Sequence, residues 1–275
     1  VSEYQHYEFL AVDRPLSDEE QAEVRELSAR ASVTGTTFTG TYEQDEFRGD
    51  PDVLVESYYD AHLHVTSWGT RRLMIRVARG DLDDAVAEEF EVAERVDVWS
   101  SEEHVVLDFT SEDEESPEID RDGLLARLAE IRTEIVAGDL RSLYIAWLAG
   151  YGTWERDEFA FDTSAEDEPE PVVPPGLGQL THAQRALAEF LRLDEDLLAV
   201  ATENSMPLQE SLDPKALGAW MTELPSADKD LLLLQVAQGQ AAEARIEILR
   251  RFNGDTAAGS RTVGELLDQA AQRRG

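Results

Sequence analysis

A chain of 275 residues with 59 Asp+Glu against 24 Lys+Arg has a formal net charge of -35, so its surface repels anions and recruits cations whatever fold lies beneath. Hydrophobic residues make up 42% of it, enough to close a core and to set it apart from charged, disordered chains. The absence of Cys excludes disulfides, thiolate metal sites and cysteine nucleophiles, and the scarcity of clustered basic residues argues against direct binding of nucleic acid.

Tyr4 to Val12 alternates like a strand, with Tyr7 and Phe9 on one face. Ser17 with Glu20 three residues on forms a capping box that opens a helix running to Arg30, with Val24, Leu27 and Ala31 facing inward. Val33 to Tyr42, rich in Thr and broken by Gly35 and Gly40, reads as an irregular extended piece. Asp50 caps a short helix with Pro51 in its first turn, and Val53, Leu54, Ser57, Tyr58 and Ala61 supply its buried stripe. His62–Ser67 and Arg72–Val77 read as strands joined through a Trp68-Gly69-Thr70-Arg71 connection, where Gly69 supplies a positive φ. A short acidic helix over 81–89 and strands near 92–98 and 105–109 complete a region of four to six strands.

Beyond an acidic boundary at 111–122 the pattern is helical. Leu124, Leu128, Ile131 and Ile135 recur at helical spacing within 123–137, and a second helix runs from Asp139 through Leu148. Further helices begin after Thr181, Asp194, Pro214 and Ser226, the last running to Phe252 with Asn253-Gly254 as its stop, and a final one spans 262–274. The whole reads as α+β. An N-terminal mixed or antiparallel sheet with short helices over 1–116 precedes an all-helical part over 117–275, with an acidic, proline-rich crossover at about 153–180. Charge is uneven: residues 1–200 hold 48 acidic and 16 basic residues, whereas 201–275 hold 11 and 8.

No basic stretch followed by an apolar one opens the chain, and the apolar segments at 143–149 and 231–237 fall short of the ~20 residues that span a bilayer. The expectation is a cytoplasmic protein with no membrane contact. Glycine patterns lack a nucleotide fingerprint, since Gly176-Leu177-Gly178 follows two prolines rather than a strand; no cofactor is expected.

His62 and His64 flank Leu63 on a strand and so share one face about 6 to 7 Å apart, with Asp60 just before them. Such a pair supplies part of a metal site, but His6, His104 and His182 have no metal-site spacing, so no metal is expected. Asp60, His62 and His64 remain the candidate catalytic residues. Tyr59, Trp68, Arg71 and Arg72 are the candidate ligand-binding residues around the same pocket, the two arginines being suited to an anion. The competing reading puts Tyr58, Tyr59 and Trp68 in an aromatic core and has the arginines balance local carboxylates. Glu8 and Asp108 also sit inside apolar strands, where alternation points them toward solvent.

The stretches YEFLAVDRPLSDEE (7–20), FRGDPD (47–52), YYDAHLHVTSWGTRRLMIR (58–76), GDLRSLYIAWLAG (138–150) and VPPGLGQLTHAQRALAEFLRLDEDLLAVA (173–201) cover much of the chain. In these the sequence resembles a widespread family of acidic bacterial proteins with no assigned activity. The resemblance implies a bacterial cytosolic protein and transfers no catalytic residues.

The functional expectation is a non-enzymatic interaction protein whose acidic surface meets a basic protein partner. The alternatives are an enzyme or small-ligand-binding module around Asp60, His62, His64 and Arg71, and a DNA mimic recognised by a nucleic-acid-binding protein.

Overall fold

The computed structural model describes residues 3–43, 47–114, 119–152, 165–205, 207–208, 214–237, 244, 247–248, 251–252 and 261–274. Its centre is a seven-stranded antiparallel sheet. In chain order the strands are β1 (Gln5–Leu10), β2 (Ser32–Val33), β3 (Thr37–Tyr42), β4 (Ala61–Thr66), β5 (Thr70–Ala78), β6 (Val96–Ser100) and β7 (His104–Glu112). They lie side by side as β2-β3-β1-β4-β5-β7-β6.

Strand periodicity divides the side chains between two apolar layers. Leu63, Leu73, Ile75, Leu107 and Phe109 enter one layer, while Tyr7, Phe9, Phe38, Tyr42 and Met74 enter the other. The second, smaller layer is closed by α1 (Asp18–Leu27) and α2 (Pro51–Ser57), which contribute Val24, Leu54 and Val55. Both helices start as expected: Ser17 and Glu20 form the reciprocal capping box, and Asp50 caps α2 by accepting from the Asp52 amide. A short helix, α3 (Asp84–Glu88), lies beside β6.

The larger layer is covered by α4 (Leu124–Leu128), α5 (Glu130–Val136), α6 (Arg141–Gly152), α7 (His182–Phe190), α8 (Glu195–Glu203) and the last helix. Between α8 and the last helix come α9 (Pro214–Glu223) and α10 (Ser226–Ala237); the last is α11 (Val263–Arg274). Buried residues run without a break from Leu73 and Phe109 of the sheet to Leu128, Tyr144, Leu187 and Leu266 of the helices. The division expected at 116/117 is therefore a change of secondary structure, and the core continues across it. Among the described residues no helix is long and apolar enough to cross a membrane.

Several local expectations are corrected. The Thr-rich piece over 33–42 is a hairpin of β2 and β3, because Phe38 and Tyr42 alternate inward and Gly40 leaves room for the Tyr42 side chain, whose hydroxyl lies 2.4 Å from where a Cβ would stand. The sheet thus has more strands than the four to six expected. Val53 is exposed and Leu54 with Val55 takes the buried face of α2, while Ala61 already belongs to β4. The single helix expected over 123–137 is two short ones meeting at Ala129. Residues 153–164 of the expected crossover, and the Asn253-Gly254 stop, lie outside the described residues.

Candidate functional site

Asp60 sits in the turn into β4 and is buried. One carboxylate oxygen accepts from the amides of Val12 at 2.6 Å and Asp13 at 2.9 Å, and the other accepts from Arg76 Nη2 at 2.7 Å. Burial pushes its pKa up, but the Asp13 amide, Arg76 and the Val12 amide together outweigh that and hold it below the ordinary carboxylate value. The network continues into the helical part. Arg132 Nη2 donates to Asp13 at 2.7 Å and Arg132 Nε to the Arg76 carbonyl at 2.7 Å. With both oxygens committed, Asp60 ties the loop after β1, strand β5 and helix α5 together.

His62 and His64 do share one face, with ring centroids 6.5 Å apart. Register places each opposite an aromatic ring of β1: His62 stacks on Phe9 at 4.1 Å and His64 on Tyr7 at 4.3 Å. His62 Nδ1 donates to the Glu8 carbonyl at 2.9 Å, and His64 Nε2 donates to Gln5 Oε1 at 3.2 Å. Burial drives His62 well below the ordinary imidazole value, and burial with the Arg72 charge takes His64 down to about 4. Both rings are neutral members of an aromatic ladder. Tyr59, also fully buried, lies 5.3 Å from Phe9 in the same layer.

The two adjacent arginines are separated by strand alternation. Arg71 points into the helical side, where it donates to the carbonyls of Glu189 and Phe190 at the end of α7, at 3.3 and 3.2 Å. Arg72 points to the opposite side and grips Asp108 with contacts of 2.9 and 2.6 Å, reaching Asp52 at 2.7 Å as well. Its pKa rises, because the bonds to Asp108 and Asp52 outweigh the opposing effect of burial. Asp108 is buried against Arg72 rather than solvated, contrary to the alternation argument, and Glu8 accepts from His6 Nε2 at 2.7 Å. Trp68, a candidate ligand-binding residue, stands on the β4–β5 turn, 39% exposed, outside the aromatic core in which the competing reading puts it.

The sequence-predicted residues thus fall into separate environments and do not converge on one opening. Arg72 and Asp108 line a cleft of about 630 Å³ at the β6 edge of the sheet, which the other candidates do not reach. Its polar lining includes Glu91, Glu94, Asp97 and Asp108, with Tyr151 and Glu168 from the helical side. Tyr151 donates to Glu168 at 2.6 Å. Arg95, the second cation of the lining, lies 3.6 Å from Glu112. Carboxylates outnumber guanidinium groups here, and both guanidiniums already face acids. Such a recess favours a cationic side chain over an anion.

The residues of this region form no sequence motif. The available signal was density: between Asp81 and Glu103 there are ten acidic residues and one basic residue, Arg95. Glu88, Glu89, Glu91, Glu94 and Asp97 are all exposed. The recess itself depends on a backbone feature, the turn at Glu94 with φ 64°, that joins Val92 to Val96 by a pair of backbone hydrogen bonds. Among the described residues no group of three or more His, Asp or Glu side chains is placed to hold a metal ion. Comparison with known families, with curated protein sequences and with solved structures finds no match to this chain.

Proposed function

We propose that this chain is a non-enzymatic interaction protein that presents the acidic β6 edge to a basic protein partner. The observation that carries the reading is the coincidence of an acidic run, 81–103, which holds ten acidic residues against one basic, with the carboxylate-lined cleft at the same edge. An arginine or lysine of the partner would enter the cleft, and the surrounding field would raise the encounter rate. The internal arginines support the same reading. Arg76, Arg132 and Arg141 answer carboxylates or carbonyls away from the cleft, so they do not line it with positive charge. The resemblance to acidic bacterial proteins belongs to this proposal, as does a cytoplasmic location.

The partner is not expected to extend the sheet. The outward N–H and C=O of Val96 are both bonded to Val92, and the Val98 amide donates to Glu91 Oε1 at 3.3 Å. Side chains, not strand addition, are left to make the contact.

The test is affinity capture with the wild-type chain and with Glu91→Lys/Glu94→Lys/Asp97→Lys at ~0.15 M and ~0.5 M salt. A basic protein retained by the wild type at the lower salt, released at the higher and lost by the triple variant is the expected result. Recovery of no basic protein at the lower salt would overturn the proposal.

A further inference from the structure

Helices α9 and α10 stand apart from the two apolar layers of the body. Leu232 and Ala244 are buried, yet neither belongs to the layers on either side of the sheet. Trp220 meets Phe252 edge-on at 5.7 Å, and Lys229 Nζ donates to the Thr222 carbonyl at 2.9 Å, which ties α10 back to α9. The four leucines 231–234 step around the helix at about 100° each, so they cannot all turn toward one neighbour. Leu232 faces its own chain. Leu231, Leu233 and Leu234 are 60%, 67% and 53% exposed, and Val236 is exposed as well. Exposed Ala227, Leu231 and Leu234 fall at i, i+4 and i+7, the spacing of an apolar seam between two helices.

Charge selects what covers this face. Residues 214–237 carry Glu223, Asp228 and Asp230 against Lys215 and Lys229, which are the two lysines of the entire chain. Their balance is 2 − 3 = -1, whereas residues 1–200 stand at 16 − 48 = -32. A basic partner drawn by the field is drawn to the body rather than to this nearly neutral helix. A second copy is repelled by the acidic residues 1–200 and meets little charge on this helix. We propose that the exposed leucine face of α10 is a self-association surface, through which two copies of the chain pair about a two-fold axis.

This proposal does not rest on the acidic-edge reading, and salt separates the two. Pairing through a near-neutral apolar face is opposed only by repulsion between bodies, so raising salt tightens it; binding of a basic partner at the acidic edge loosens under the same change. The experiment is sedimentation velocity on the full chain from ~1 to ~100 µM at ~0.05 M and ~0.5 M NaCl. The expected result is a shift from the 30.7 kDa monomer toward twice that mass, at several-fold lower protein concentration in the higher salt. Leu231→Glu/Leu234→Glu, folded by circular dichroism, is expected to stay monomeric, while Val53→Glu on α2 behaves as wild type. Should the double glutamate variant misfold, Leu231→Gln/Leu234→Gln gives the same readout with no added charge. A wild-type monomer throughout, a dimer that weakens with salt, or a dimer that survives both double variants would each overturn the proposal, as would a monomer that binds vesicles through α10.

Discussion

Arg76 and Asp60 form a buried ion pair, 2.7 Å from Nη2 to Oδ1, in which the carboxylate also receives the amides of Val12 and Asp13. The pair fixes where the chain leaves β1 and where it enters β4, and the Arg76 carbonyl in turn receives Arg132 from the helical side. One acid thereby registers three pieces of the fold.

Asp60→Asn is expected to destabilise the protein by about 3–5 kcal/mol, since it leaves Arg76 buried without its counter-charge. Urea unfolding measures this. A loss under ~1 kcal/mol would show that the network is dispensable.

For Arg72 and Asp108 the double substitution is the informative one. Arg72→Ala alone is expected to cost about 3–5 kcal/mol, whereas Arg72→Met with Asp108→Leu recovers most of that, because an apolar pair of similar volume has no charge to desolvate. A double variant as unstable as the single one would contradict the assignment of the loss to an uncompensated Asp108.

His64 makes stability depend on pH in a defined window. Its folded pKa of about 4 lies below the ordinary 6.5, so between these values the unfolded chain binds the extra proton. Stability is unaffected by this group above pH 6.5, falls as pH drops through the window, and has lost on the order of 2–3 kcal/mol near pH 4. His64→Phe, which keeps the stack on Tyr7, is expected to flatten part of that slope in denaturant titrations at stepped pH. An unchanged slope would count against a neutral, buried ring.

Gly69→Ala tests the turn between β4 and β5. The residue has φ 99°, and an added Cβ would stand 1.9 Å from the Asp113 carbonyl oxygen, so both backbone and contact oppose it. Destabilisation of about 2 kcal/mol or more is expected by thermal unfolding.

Salt is expected to stabilise the fold. With a net charge of -35, screening relieves repulsion across the surface more than it weakens the buried arginine pairs, so Tm rises by about 2–4 °C between low and physiological salt. A fall in Tm would mean that exposed ion pairs outweigh the repulsion.

The parts of the fold legible in sequence are those governed by local chemistry. The capping box at Ser17, the Thr181 and Asp50 caps and the Gly69 turn are each set by residues within a few positions of one another. The shared face of His62 and His64 followed from strand periodicity alone. What alternation could not reveal is what lies above and below a strand. Arg71 and Arg72 are neighbours in sequence, yet one caps α7 and the other holds Asp108, because both faces of the central strands are covered. For the same reason Asp108, expected in solvent, is buried. The cleft was hidden because its walls come from the Val92–Val96 turn and from Tyr151 and Glu168, far apart in sequence and joined by no repeated spacing.

A sheet with two free margins could in principle grow by recruiting strands from other molecules. Here one margin is β2, only two residues long, and the other is stoppered at Val96 and Val98 by Val92 and Glu91. Strand addition is hindered at both margins, which leaves contacts between molecules to helices and side chains.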